Sequence, residues 1–202
     1  MRPWIKSSKG VLFLAAILSA WTTAAMAGIS GTPHDFSSAT GPKYNFSDQI
    51  CVICHAPHNA NPGDEPLWNH ELTTATFTAY SSSTMDVSVG QPGGVSKLCL
   101  SCHDGTVAID SFGGATGSNY ISGSANLTTD LSDDHPVSIV WDHQTVSSGT
   151  PCSNCHFGGN PPPFYDGKVE CASCHDPHDD IISPFLRETM SGSQLCLRCH
   201  EK

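Results

Sequence analysis

Ten cysteines set the framework of this 202-residue chain, because they form five pairs with two residues between the partners and a histidine directly after each pair. No cysteine lies outside this pattern. The five motifs are Cys51-Val-Ile-Cys54-His55, Cys99-Leu-Ser-Cys102-His103, Cys152-Ser-Asn-Cys155-His156, Cys171-Ala-Ser-Cys174-His175 and Cys196-Leu-Arg-Cys199-His200. Any fold of the chain must therefore accommodate five copies of one local arrangement.

The C-x-x-C-H spacing has a specific chemical use. Two thiols three positions apart can add to the two vinyl groups of one haem, and the adjacent histidine then reaches the iron as proximal ligand. Zinc ribbons and short-loop disulfides also use C-x-x-C pairs, but neither requires a histidine after each pair. The sequence therefore predicts five covalently bound haems c, with all ten cysteines as thioether attachments. The predicted proximal ligands are His55, His103, His156, His175 and His200.

Six further histidines are available as second axial ligands. They are His34, His58, His70, His135, His143 and His178. Five irons need five of them for bis-histidine coordination, so the supply is sufficient. After residue 27, only Met85 and Met190 offer thioether ligands, and a mid-chain methionine is more often part of core packing. We therefore predict mostly bis-histidine, low-potential irons.

His58 and His178 each lie three residues after a proximal histidine, in His55-Ala-Pro-His58 and His175-Asp-Pro-His178. Axial ligands approach an iron from opposite faces of the porphyrin, so a histidine one helical turn from the proximal ligand is on the wrong side of its own haem. We therefore predict that each of the two binds the iron of a neighbouring haem. This crossed ligation would hold two porphyrins in close contact.

The other candidates lie farther from the motifs. His34 and His135 each lie 17 residues before the first cysteine of a motif, and a ligand that far upstream can cross to the distal face. His70 and His143 compete for the fifth distal position, and nothing in their local sequence separates them.

The composition predicts little regular structure, because 18 glycines and 14 prolines make long helices and a broad sheet improbable. Five haems on the part of the chain after residue 27 leave about 35 residues per haem, too few to wrap each porphyrin in its own apolar pocket. The haems must then form much of the core. We predict an irregular, haem-organised multihaem cytochrome c fold, with a few short helices at the C-x-x-C-H motifs, minor β-structure at 76–80 and 137–141, and mostly loop.

The first 27 residues have the order of a secretory signal peptide, with three basic residues, an apolar run at 11–18 and then Ala25-Met26-Ala27. We place cleavage after Ala27, and the apolar run is too short to span a membrane. Haem c is attached outside the cytoplasm, so export to the periplasm, the outer cell surface or the medium agrees with the motifs. The remaining six Lys and Arg against 19 Asp and Glu give a formal charge of −13, which argues against nucleic acid and anionic membranes as partners.

Two related haem modules are visible in the sequence. Ser96-Lys97-Leu98-Cys99 and Ser193-Gln194-Leu195-Cys196 open similar motifs, and each is preceded by Thr-Met and by a C-x-x-C-H-x-P-H motif. The predicted organisation is a signal peptide at 1–27, a first module with two haems at 28–112, a Gly/Ser-rich connection at 113–130 and a second module with three haems at 131–202.

These doubled motifs resemble those of the multihaem c-type cytochromes that metal-reducing and other anaerobic bacteria export. The resemblance runs through 51–62, 66–69, 81–86, 99–108, 135–138 and 171–178. It implies electron transfer in the periplasm or at the cell surface, and some relatives polymerise into extracellular haem wires. The familiar pattern has four motifs, whose four distal positions match His34, His58, His135 and His178. The Cys152 motif is an addition to that pattern, and His143, nine residues before it, is favoured as fifth ligand for that reason.

The leading interpretation is a pentahaem electron-transfer protein without a substrate pocket, in which electrons hop between porphyrins. Its partners would be redox proteins, other multihaem cytochromes or copies of itself. One alternative is a multihaem reductase, which needs an iron with an open coordination position. Another is a subunit of an extracellular cytochrome filament, in which the next protomer donates a distal histidine.

Overall fold

The computed structural model describes residues 28–37, 45–60, 67–85, 87–140 and 162–200. The predicted signal peptide, His143 and the whole Cys152 motif with Cys155 and His156 lie outside the described residues. Eight of the ten cysteines are therefore described, and none of these eight forms a disulfide with another.

Regular structure is short, as the glycine and proline content predicts, and most of the described chain is loop. Two helices carry motif residues, α1 (Gly94–His103) and α2 (Cys171–Cys174). Three 3-10 turns lie at Gly123–Ala125, Ser191–Ser193 and Cys196–Arg198. The four strands are β1 (Thr78–Ala79), β2 (Asp130–Leu131), β3 (Ile139–Val140) and β4 (Lys168–Val169). This architecture confirms the irregular fold class predicted from the sequence.

The strands form two small ladders that join distant parts of the chain. Strand β1 pairs with β2 in parallel, with Thr78 opposite Asp130 and Ala79 opposite Leu131. Strand β3 pairs with β4 in the antiparallel sense, with Ile139 opposite Val169. Strands β1 and β3 lie inside the two segments that were predicted as strands, where β-branched and aromatic residues cluster. Each ladder is only two residues long, so it holds two loops together at one point and does not form an extended sheet.

The apolar core of the described residues is small. Its central cluster consists of Phe77, Leu100 and Leu131, with Ala75 packed against it. Several fully buried side chains are polar instead and are hydrogen-bonded within the fold. Thr73 Oγ1, for example, donates to Asp104 Oδ2 at 2.5 Å. Among the described residues, no helix is long and apolar enough to cross a membrane.

The Gly/Ser-rich segment after α1 folds back on the residues before it. The Asp110 carboxylate accepts hydrogen bonds from the backbone N–H groups of Ser118 and Asn119, at 3.0 and 2.8 Å. The N–H of Gly117 donates to Ser111 Oγ at 2.9 Å. A side chain at position 117 would overlap the Asp110 carboxylate, so this close approach requires glycine.

Candidate functional site

The four described C-x-x-C-H motifs share one local shape, a single helical turn. In three of them the N–H of the histidine donates to the carbonyl of the first cysteine, at 2.8 Å in the Cys51 motif, 3.0 Å in the Cys171 motif and 2.9 Å in the Cys196 motif. The Cys99 motif forms the last turn of α1. One turn of helix brings residues three and four positions apart to the same face. Each motif therefore presents two thiols and one imidazole together.

The Cys51 motif is held in place by the segment around Trp68. Asn69 N–H donates to the carbonyl of Cys54 at 2.9 Å, and the Asn69 side-chain amide donates to the carbonyl of Val52 at 2.5 Å. His55 and Trp68 form an antiparallel bridge, and their rings meet edge to face with centroids 6.4 Å apart. The 67–69 segment therefore orients the first motif, although no local pattern in the sequence predicts this role.

Helices α1 and α2 pack against each other and bring two motifs together. The backbone N–H of Cys171 donates to Ser96 Oγ at 2.9 Å, three residues before Cys99 in α1. The thiols of Cys99 and Cys171 share a hydrogen bond that, together with burial, raises the pKa of Cys99 well above its ordinary value. The Cys99 and Cys171 motifs therefore begin side by side.

Three of the described thiols lie in surroundings poor in water. Burial raises the pKa of Cys54 to about 11 and that of Cys199 to about 11, and it raises the pKa of Cys102 well above its ordinary value. A thiol pKa rises in this way when apolar surroundings disfavour the charged thiolate. These three thiols are therefore placed as expected for residues that line an apolar group, whereas Cys51 and Cys196 are exposed.

Three pairs of imidazole rings form the central geometry of the site. His55 lies opposite His178 with ring centroids 6.0 Å apart and planes at 20°. His103 lies opposite His34 at 6.0 Å and 69°, and His200 lies opposite His135 at 6.2 Å and 70°. Each pair joins a motif histidine to one of the six other histidines.

The ring separations fit a metal ion held between two imidazoles. Two imidazoles that bind one ion from opposite sides, with metal–nitrogen distances of about 2 Å, have ring centroids about 6 Å apart. The ring planes can rotate about the shared nitrogen–metal axis, so near-parallel and near-perpendicular pairs are both compatible with such binding. All three pairs meet this requirement.

Backbone carbonyls hold one nitrogen of two of these rings and of the motif histidine His175. The Nδ1 atom of His103 lies 2.8 Å from the carbonyl oxygen of Ala125. The Nδ1 atom of His135 lies 2.9 Å from the carbonyl oxygen of Pro136. His175 Nδ1 lies 3.0 Å from the carbonyl oxygen of Pro184. In a neutral imidazole whose Nδ1–H donates, Nε2 carries the lone pair that a metal needs. These contacts therefore select the metal-binding tautomer.

His34 is kept neutral by its surroundings. Its ring stacks on Phe185 with centroids 4.3 Å apart. Burial, followed by the neighbouring His103, lowers the pKa of His34 to about 4. At neutral pH the ring is therefore uncharged and has a lone pair available for a metal ion.

Three of the predicted histidines are placed differently. His70 is fully buried, with Nδ1 2.7 Å from the Glu71 carbonyl oxygen and Nε2 2.9 Å from that of Ala108. His58 and His175 are exposed. Among the described residues, neither of these two rings has another histidine ring opposite it.

The residues present fit a covalently attached haem. Thiol pairs with an adjacent histidine match its two vinyl groups and its iron, and three imidazole pairs leave room for a metal ion. In addition, the buried indole Nε1 of Trp68 has no hydrogen-bond partner in the described protein. A buried donor of this kind requires an acceptor, and the carboxylates of a haem supply one. The thiols, the imidazole pairs and the buried Trp68 indole are therefore all consistent with a covalently attached haem.

The comparison with known families points to the same class. Residues 162–202, which contain the last two motifs, match the family described as the doubled CXXCH motif. No curated protein matches the chain. The family match supports a c-type cytochrome with doubled C-x-x-C-H haem-binding motifs, as the sequence predicted. The motifs indicate covalently bound haem c and a role in electron transfer.

Proposed function

We propose that this protein is a pentahaem c-type cytochrome that transfers electrons between redox partners. The observation that carries this proposal is the set of three imidazole pairs, each about 6 Å apart and each composed of a motif histidine and a distant one. Bound haem c supplies a reversible one-electron couple between Fe(III) and Fe(II). The protein's contribution is to attach, ligate and align the cofactor.

The ring pairs suggest specific ligand roles. We assign His178 as distal ligand for the Cys51 motif, His34 for the Cys99 motif and His135 for the Cys196 motif. The first assignment is a crossed ligation, because His178 follows the motif histidine His175 by three residues yet lies opposite His55. His58 remains a proposed distal ligand whose iron is not identified.

For the fifth distal position we favour His143 over His70. Both ring nitrogens of His70 already face backbone carbonyl oxygens inside the fold. A neutral imidazole donates from one nitrogen only, so binding an iron through the other would still require the buried His70 ring to turn away from the carbonyl oxygen that faces that nitrogen. His143 and the Cys152 motif lie outside the described residues, so this assignment rests on His70 and on the sequence.

Two other functions share one observation, the exposed His175, which faces no other histidine ring among the residues that the structure describes. An iron bound by His175 alone would have the open position that a multihaem reductase needs. Alternatively, the exposed His58 of a second copy would complete that iron, as in a filament subunit. We rank the electron carrier first because each of the three ring pairs offers an iron two axial ligands and so leaves it no open coordination position.

The function is tested on the purified protein by intact-mass measurement and by EPR of the oxidised state. We expect a chain beginning near Gly28 with five added haems, and irons that are almost entirely low-spin. A replacement of Cys152 and Cys155 by serine should remove one haem and leave four. An apoprotein mass, bound zinc or five disulfides would contradict the proposal.

The same EPR spectra separate the two alternatives. A high-spin signal from about one iron in five at every protein concentration favours the reductase. A high-spin signal that disappears as the protein is concentrated, together with filaments in negative-stain micrographs, favours donation of a histidine between copies.

We further propose that the exported protein docks with basic redox proteins. The predicted mature chain has a formal charge of −13, to which ionised haem carboxylates would add. We expect the electron-transfer rate with a basic partner to fall as ionic strength rises from about 0.01 to 0.1 M, because the Debye length shortens from about 30 to 10 Å. Stopped-flow kinetics measure this rate, with a small uncharged reductant as control. Equal salt dependence for both donors would mean that charge does not steer docking.

A further inference from the structure

A buried carboxylate lies at the junction of helices α1 and α2. Glu170 directly precedes Cys171, and only 2% of its surface is exposed. Its carboxylate accepts hydrogen bonds from Ser96 Oγ and, at 2.9 Å, from Ser138 Oγ. The backbone N–H of Ser173 donates to it as well, in the capping box of α2. Glu170 therefore connects α1, α2 and the His135-Pro-Val-Ser138 phrase.

All three hydrogen-bond partners of the Glu170 carboxylate are donors. An ionised carboxylate accepts without donating, so this donor set is complementary to it. Among the described residues, the ion pairs are those of Asp176 with His178 and Arg187, and of Glu188 with Arg198. None of them involves Glu170. A buried charge without a cation is costly, so the fold calls for a positive group nearby.

Haems attached at the Cys99 and Cys171 motifs would supply such a positive group in their oxidised state. Its ferric iron and the porphyrin dianion together carry one positive charge, which is lost when the iron is reduced. Ser96, bound to the Glu170 carboxylate, lies one turn before Cys99 in α1, and Cys171 follows Glu170 directly. The carboxylate therefore lies between the thiol pairs that begin at Cys99 and Cys171.

We propose that Glu170 is the buried counter-charge of the two oxidised haems held by the Cys99 and Cys171 motifs, and that it keeps their reduction potentials low. This inference rests on the proposed function. The step concerned is a one-electron reduction, in which Fe(III) takes one electron from a redox protein and becomes Fe(II). No bond breaks, and no proton moves in this step.

The test is the Glu170→Gln variant, whose amide keeps the shape of the side chain and removes the charge. A unit charge about 10 Å from an iron, at an effective dielectric constant of about 20, changes its reduction equilibrium on the order of tenfold. We expect haem-resolved redox titration to show higher reduction potentials for the two haems at Cys99 and Cys171. A tenfold change in the reduction equilibrium corresponds to about 59 mV for a one-electron couple. The remaining haems should change less.

Glu71→Gln is the matched control, because Glu71 is exposed and water screens its charge. Glu170→Asp retains the charge and should keep the two potentials low. Equal potentials in Glu170→Gln and Glu71→Gln, with all haems attached, would overturn the proposal. The haem count and the low-spin spectrum of the same samples report separately on the proposed function.

A second measurement uses the unmodified protein and applies even if the Glu170→Gln chain fails to assemble. Infrared difference spectra between the oxidised and reduced protein, labelled with 13C-glutamate, should show a carboxylate band that shifts when the nearby positive charge is lost. A difference spectrum without any labelled carboxylate band would overturn the proposal.

Discussion

Replacing His178 with alanine is expected to open the iron at the Cys51 motif and to leave the haem of its own motif six-coordinate as before. The reason is the pairing of His178 with His55, whose ring centroids are 6.0 Å apart, although His178 follows His175 by only three residues. EPR of the oxidised variant should show about one fifth of the iron as high-spin. Haem-resolved NMR should assign that iron to Cys51 and Cys54.

Added imidazole provides the control for this variant. Free imidazole can fill the vacated position, so it should return the iron of the His178→Ala protein to the low-spin state, while it leaves the unmodified protein unchanged. His58→Ala is the companion variant, and we expect it to leave the Cys51 haem six-coordinate. A vacancy at the haem held by Cys171 and Cys174, or no vacancy at all, would contradict the crossed ligation.

The crossed pairing also illustrates what sequence can and cannot predict. The three-residue step after His175 indicates that His178 cannot serve its own haem, because the two residues lie on one side of a single turn. It does not indicate which motif His178 faces. That depends on contacts between residues more than 120 positions apart, such as those that bring His55 and His178 together, and no local pattern encodes them.

The same limit applies to the polar residues around the motifs. The strands near residues 78 and 139 and the helical turns at the motifs follow local preferences, and the sequence predicted them. The burial of Glu170 was not predicted, because glutamate is usually exposed and a position before a C-x-x-C-H motif gives no sign of burial. Its only local sign is the serine three residues later, which completes the capping box of α2. The packing of His70, which places both ring nitrogens against carbonyl oxygens, has no local sequence sign either.

A chain made without haem attachment is expected to lack a stable native fold. The described apolar core is centred on Phe77, Leu100 and Leu131, which is a small cluster. Without the porphyrins, the apolar side chains that would pack against them are left uncovered. The thioether bonds also no longer restrict the unfolded chain. Circular dichroism during heating should show no cooperative transition for the haem-free chain and a clear one for the loaded protein.

Two double variants test how much the attachment of a single haem contributes to the stability of the fold. Serine in place of Cys99 and Cys102 removes the haem next to Leu100 and the α1–α2 junction, so we expect a loss of several kcal/mol or failure to accumulate. The same change at Cys196 and Cys199, in a 3-10 turn near the end of the described chain, should leave the rest folded. Limited proteolysis compares the two, because digestion follows the population of the open chain. Equal resistance of both variants, or a cooperative transition in the haem-free chain, would mean that the protein supplies its own core.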